Sequence, residues 1–150
     1  MNFYKKTFDK NNIKISQILL TLDDTERRRR SINARRTIDN LTAMGIVPIV
    51  NENDTTATTE IKYGDNDRLA ARVSQIISAD CLILLSDVDG LYTDNPKKNK
   101  KTKLIKTVKE ININIEKYAT KAENLYGSGG MKTKILEEFP NMLVILQKLY

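Results

Sequence analysis

Asn51, Glu52, Asn53 and Asp54 follow directly on an apolar run, Ile46 to Val50, and Asp65, Asn66 and Asp67 stand a short way further along. A buried strand that opens into clustered carboxylates and amides is a common layout for an α/β ligand site, because ligands in open α/β sheets bind beyond the carboxyl ends of strands. These groups suit a small polar substrate bearing an ammonium group, or a metal-bound phosphate. For one such cluster alone, a solvated loop of turn formers is the competing reading.

A second strand end has the same character. Cys81 to Leu85 is a short apolar run without alternation, as expected of a strand buried on both faces. It stops at Ser86, Asp87, Val88, Asp89 and Gly90, so a hydroxyl, two carboxylates and a turn glycine follow the strand. A third segment, Gly127, Ser128, Gly129, Gly130, Met131, Lys132, Thr133 and Lys134, is a glycine-rich turn with two lysines. Glycine lets a backbone approach a phosphate closely, and lysine supplies the point charge. The GxxxxGK[ST] spacing of a Walker A loop is absent. By itself this segment is weak evidence, and a plain flexible turn is the preferred reading.

The elements that must position these residues alternate. Ile13 to Leu20 reads as a strand. Asp23 and Asp24 are placed to cap a helix that contains Glu26 and Arg27 to Arg30. Ile32, Ala34, Ile38, Leu41 and Met44 continue its apolar stripe, and Gly45 ends it. The strand Ile46 to Val50 follows. A helix then starts at Asp65 or Asp67 with Leu69, Ala70, Val73, Ile76 and Ile77 inward, and Cys81 to Leu85 is the third strand. This β-α-β-α-β order predicts an α/β fold with a mostly parallel sheet sandwiched by helices and right-handed crossovers. Further along, the segment Leu104 to Glu110 is expected to contain a short strand, Val108 to Ile111, and Ile113 to Leu125 a helix. A helix from Met131 to Phe139 is broken by Pro140. Met142 to Leu146 reads as a last strand. No internal repeat or domain linker is visible, so residues 1–150 read as one domain.

Composition excludes some classes. The hydrophobic fraction is 40% and the mean hydropathy is −0.44, with no apolar run of the roughly 18 residues that a membrane span needs. Met1 to Lys14 carries no signal-peptide core. Both features fit a cytoplasmic protein with no membrane partner. The chain has no histidine, so a histidine base or histidine metal site is excluded, and no metal ligands are assigned. Cys81 is the single cysteine; it has no internal disulfide partner and reads as a small core residue. The net charge of +6 is moderate. Arg27 to Arg30 form a four-residue basic run. Such a run covers most of a helix circumference and lacks interleaved aromatics for base stacking, so a solvated face partly paired with Asp23, Asp24 and Glu26 is preferred over a nucleic-acid contact.

Taken together and in order, NEND (51–54), GDND (64–67), SDVDGLYT (86–93) and GGMKTK (129–134) resemble the amino acid kinase family, and the resemblance runs from near Ile13 to about Lys134. It implies a partial amino acid kinase fold. It also implies transfer of the ATP γ-phosphoryl to the side-chain carboxylate of L-glutamate, the first committed step of proline synthesis, with Mg²⁺ arriving on the nucleotide. Carried over by motif, Asp54 and Asn66 match the family's substrate-binding positions, with Asp54 suited to the ammonium group. Asp67 matches an acidic residue that organises the active-site lysines. Ser86 and Asp87 match nucleotide contacts. Ser128, Gly129, Gly130, Met131, Lys132, Thr133 and Lys134 match the phosphate turn, and Lys134 is the lysine expected to stabilise the moving phosphoryl group. Asp67 as a plain helix cap and Ser128 to Gly130 as a plain turn remain the competing readings.

By the same resemblance, a strand with a phosphate-binding lysine and glycines is expected before Met1, and later sheet strands after Lys134. The RNA-binding appendage common in the family is not seen in these residues. The chain therefore reads as an internal fragment, with low activity alone and with a complementing N-terminal piece or a second copy as partner. A catalytically dead nucleotide- or amino-acid-binding remnant, and a basic nucleic-acid-binding module, are the alternatives.

Overall fold

The computed structural model describes residues 1–56, 66–86, 90–94, 99, 101–108, 112–123 and 143–148. These fall into two units, Met1–Ser78 and Ala79–Tyr150.

In the first unit, α1 (Asn2–Asp9) precedes β1 (Lys14–Leu20), α2 (Leu22–Glu26), α3 (Arg28–Ala43), β2 (Ile46–Glu52) and α4 (Asn66–Ile77). Strands β1 and β2 pair in parallel from Lys14↔Ile46 to Leu20↔Glu52. A helical connection between parallel neighbours is what the alternation predicts. The second strand is longer than its apolar run: Asn51 and Glu52 are its last two residues, paired with Leu19 and Leu20. The core is small. Leu20, Ala34 and Leu69 form a buried cluster, with Ile18, Leu22, Val50 and Val73 packed against it.

The expected single helix after β1 is two helices. Arg27 adopts an extended backbone at φ −79° and ψ 117°, which ends α2 and starts α3. Asp23 and Asp24 therefore lie inside the first turn of α2, and Thr21 is the residue before it. Along α3, Ala34 and Ile38 are buried as expected, whereas Ile32 and Met44 at the ends of the stripe are exposed. Gly45 has φ +70° and closes the helix, a conformation that glycine adopts without a Cβ penalty. In α4 the deepest positions include Ala71 and Ser74 beside Leu69. The sequence reading missed both. Ser74 is accommodated because its hydroxyl donates to the Ala70 carbonyl at 2.8 Å.

In the second unit, β3 (Cys81–Ser86) pairs in parallel with β6 (Leu143–Lys148). The short antiparallel pair β4 (Leu91–Tyr92) and β5 (Leu104–Ile105) and helix α5 (Ile113–Glu123) lie between them in sequence. Two expectations are corrected here. The segment Leu104 to Glu110 does hold a short strand, but at its start, Leu104–Ile105, where it pairs with Leu91–Tyr92; Val108 is not in a strand, and residues 109–111 lie outside the described residues. Strand β3 is not buried on both faces: Leu82, Leu84 and Ser86 are buried, while Cys81, Ile83 and Leu85 are exposed. Cys81 is thus an exposed thiol and not a core residue. The helix expected over Met131 to Phe139 lies outside the described residues.

Among the described residues, no helix is long and apolar enough to cross a membrane.

Candidate functional site

The carboxyl ends of β1 and β2 form one edge, and the first polar segment sits on it. Glu52 ends β2 opposite Leu20. One residue beyond the last paired position, the Asn53 N–H donates to the Leu20 carbonyl at 2.9 Å. The Asn53 carbonyl then accepts the Thr56 N–H at 3.2 Å. This closes a turn that contains Asp54, which is exposed. Exposure at a strand end is where a carboxylate must lie to meet an incoming cation.

Asn66 and Asp67 open α4. Asn66 is exposed and Asp67 half-buried. A carboxylate in the first turn is favoured by the helix dipole, so Asp67 has a structural reason to be there whatever else it does. Leu69, two residues on, anchors this turn in the cluster that holds Leu20 and touches Val50. The core thus brings the start of α4 and the carboxyl ends of β1 and β2 to the same buried cluster. Residues 57–65, which join the two polar segments, lie outside the described residues.

In the second unit, Ser86 ends β3 and is buried, at 7% exposure. Ser86 thus lies at a strand's carboxyl end, the edge at which open α/β sheets bind ligands. Gly90 follows at φ +147°, and a Cβ there would come within 3.2 Å of the Leu104 Cδ1. Backbone conformation and close approach together account for glycine at this position. Asp87 and the whole turn Ser128, Gly129, Gly130, Met131, Lys132, Thr133 and Lys134 lie outside the described residues.

Next to the site lies a polar centre in which the sequence reading named Asp24 but missed Thr21. The Thr21 N–H and hydroxyl both donate to the Asp24 Oδ2, at 2.8 and 2.7 Å. Arg30 donates to the other carboxylate oxygen at 3.3 Å. Partial burial pushes the Asp24 carboxyl up, but the Thr21 hydroxyl, the Thr21 N–H and Arg30 outweigh it and hold the group below the usual carboxylate value. The signal was present as Thr21-x-x-Asp24, the spacing of a capping box. The basic run is partly neutralised from the same side. Arg27 pairs with Asp23 at 3.0 Å, and Arg30 approaches Asp23 at 3.9 Å. The expected pairing of this run with Asp23 and Asp24 is borne out, while Arg28 and Arg29 are exposed.

Comparison with known proteins adds independent information. The model of the amino acid kinase family matches residues 1–139. A glutamate 5-kinase of Pelagibacter ubique is 67% identical over 135 residues, which is 90% of this chain and 37% of that relative. The glutamate 5-kinase of Paramagnetospirillum magneticum is 55% identical over 83% of this chain and 34% of its own length. That of Caulobacter vibrioides is 54% identical over 90% of this chain and 36% of its own length. The chain thus spans between 34% and 37% of the length of these relatives. The family match covers nearly the whole chain. The chain belongs to the amino acid kinase family.

Proposed function

We propose that this chain supplies the glutamate-binding segment and part of the nucleotide-binding segment of a glutamate 5-kinase. The reaction is transfer of the ATP γ-phosphoryl to the side-chain carboxylate of L-glutamate, placed in the cytoplasm where ATP and glutamate are available. The observation that carries this reading is the 67% identity over 135 residues to a glutamate 5-kinase.

The roles follow from charge and position. Phosphoryl transfer asks for in-line positioning and neutralisation of oxygen charge, with little covalent work by the protein. Asp54, exposed at the edge of β2, holds the substrate ammonium, and Asn66 donates to the substrate carboxylate from the start of α4. Asp67 orients the lysines that meet the phosphates. Ser86 and Asp87 contact the nucleotide. The backbone of Ser128 to Thr133 cradles phosphate oxygens, and Lys134 neutralises charge on the moving group. Mg²⁺ comes with ATP, held largely by its phosphates and by water. Residues 1–150 act as one partial kinase domain.

The competing reading is a nucleotide- or amino-acid-binding remnant without turnover. One experiment separates the two. The purified chain is assayed for ATP-dependent glutamyl phosphate, trapped as the hydroxamate, alone and mixed with the remaining segments of the Pelagibacter enzyme. The expected result is little product alone, and turnover in the ordinary kinase range of about 1–100 s⁻¹ from the mixture. A mixture that forms a stable complex yet makes no hydroxamate overturns the kinase reading in favour of the remnant.

A further inference from the structure

The Leu20–Thr21 peptide unit is held from both sides. Its carbonyl accepts the Asn53 N–H at 2.9 Å, and its N–H donates to the Asp24 Oδ2 at 2.8 Å. A trans peptide is planar, so its N–H and carbonyl point in opposite directions and turn together. Fixing the N–H therefore fixes where the carbonyl aims. The acceptor is an ionised carboxylate, which makes a shorter and stronger bond than a neutral acceptor. Hydrogen bonds in series also polarise one another, so a carboxylate on the N–H makes the carbonyl a better acceptor.

The carboxylate itself is fixed. The Thr21 hydroxyl donates to the same oxygen at 2.7 Å, the Asp24 N–H returns to the Thr21 carbonyl at 3.0 Å, and Arg30 holds Oδ1 at 3.3 Å. Leu20 is buried at 6% exposure, so the peptide is rooted in the core. On the far side, Asn53 is the first residue of the turn closed by Thr56, and Asp54 is the next.

We propose that Asp24 is a positioning residue: by clamping the Leu20–Thr21 peptide it fixes the Asn53 backbone and hence the direction in which Asp54 is presented to an ammonium-bearing substrate. Asp24 touches neither substrate nor nucleotide. It acts through one peptide plane and one main-chain hydrogen bond. The substrate half of this statement rests on the assignment of Asp54 above; the mechanical half does not.

The two halves are tested separately on the isotopically labelled 150-residue chain. Amide hydrogen exchange is compared in the wild type, Asp24→Ala, Asp24→Asn, Thr21→Val and Thr21→Ser. Asp24→Ala is expected to accelerate exchange at Asn53 about fivefold, the factor typical of one net hydrogen bond, with Ile38 in the core of α3 unchanged. Thr21→Ser, which keeps the hydroxyl, is expected to behave as the wild type, and Thr21→Val to fall between. Should Asp24→Ala loosen the whole unit, the volume-conserving Asp24→Asn and Thr21→Val variants carry the decision. An Asn53 rate that does not change in them, or that changes only in step with Ile38, overturns the clamp. Titration with L-glutamate then reads the other half. A shift of the Asp54 amide in the wild type that needs several-fold more glutamate in Asp24→Asn supports it. No shift at Asp54 in the wild type overturns the substrate assignment alone, while the exchange rates still decide the clamp.

Discussion

Leu69, the fourth residue of α4, packs in the same buried cluster as Leu20, the last residue of β1. This shared cluster ties the helix that opens with Asn66 and Asp67 to the strand end beside Asp54. Leu69 is 4% exposed. Truncating a buried leucine costs about 2–5 kcal/mol, the transfer term plus the cavity term. Leu69→Ala is therefore expected to lower the unfolding free energy of the first unit by that amount, read as a lower urea midpoint with little change in slope. A loss below about 1 kcal/mol would mean that the cluster does not hold α4 in place.

Gly45 gives a cleaner backbone test. It sits at φ +70°, and a Cβ built there meets nothing within 4 Å. Any cost of Gly45→Ala is then conformational and not steric. About 1 kcal/mol is expected for forcing a residue with a Cβ into the left-handed region. Thermal denaturation of the variant checks this, and an unchanged melting temperature would rule out the left-handed cap.

Asp24 sets a pH dependence. Its folded-state carboxyl lies below the ordinary value of 3.8. The unfolded state thus binds a proton more readily than the folded state. The stabilisation is fully present above the unfolded value and is lost as the pH falls through the lowered folded value. Acid unfolding of Asp24→Asn should therefore be less steep than that of the wild type below about pH 4, with both chains equally insensitive to pH between about 6 and 7. Identical acid profiles would remove Asp24 from the set of groups that couple folding to protons.

Much of the framework was legible because each element has a strong local signal. Ile13 to Leu20 and Ile46 to Val50 read as strands, and Gly45 marked the helix end correctly. The break at Arg27 was not legible, since four successive arginines are good helix formers and carry no stop signal. It follows from the Thr21–Asp24 cap, which ties α2 to the strand end. The continuous run Cys81 to Leu85 was read as doubly buried, yet every second residue is exposed. An unbroken apolar run does not reveal which of its faces a neighbour covers. Strands β4 and β5 are two residues each, too short for any period to show. At the site, residue chemistry marked the strand ends, but roles such as that of Lys134 came only from the order of motifs.

The uncovered face of β3 and β6 has a consequence for behaviour in solution. Ile83, Leu85 and Leu143 are 57%, 58% and 61% exposed. A row of exposed apolar side chains on a parallel pair promotes association. At micromolar concentration the chain by itself is expected to self-associate and to bind a hydrophobic dye. The double variant Ile83→Lys with Leu85→Lys should shift it toward monomer, since charge on that face opposes stacking. Light scattering that reports a monomer for the wild-type chain would count against this.

The assigned roles of the binding residues predict a division of kinetic effects in the complemented kinase. Asp54→Ala should mainly raise KM for glutamate, because it leaves a desolvated ammonium without its partner, a loss of roughly 2–5 kcal/mol. Lys134→Ala should mainly lower kcat, because its charge matters most as the phosphoryl group moves between oxygens. Arg28→Ala should change neither by more than about twofold, the scale of an isolated surface charge. Arg28 is exposed and stands outside the ion pairs that engage Arg27 and Arg30. Steady-state kinetics of the three variants against both substrates decide the matter. Were Arg28→Ala the most damaging and Asp54→Ala silent, the substrate edge would have to be moved from the end of β2 to the basic run.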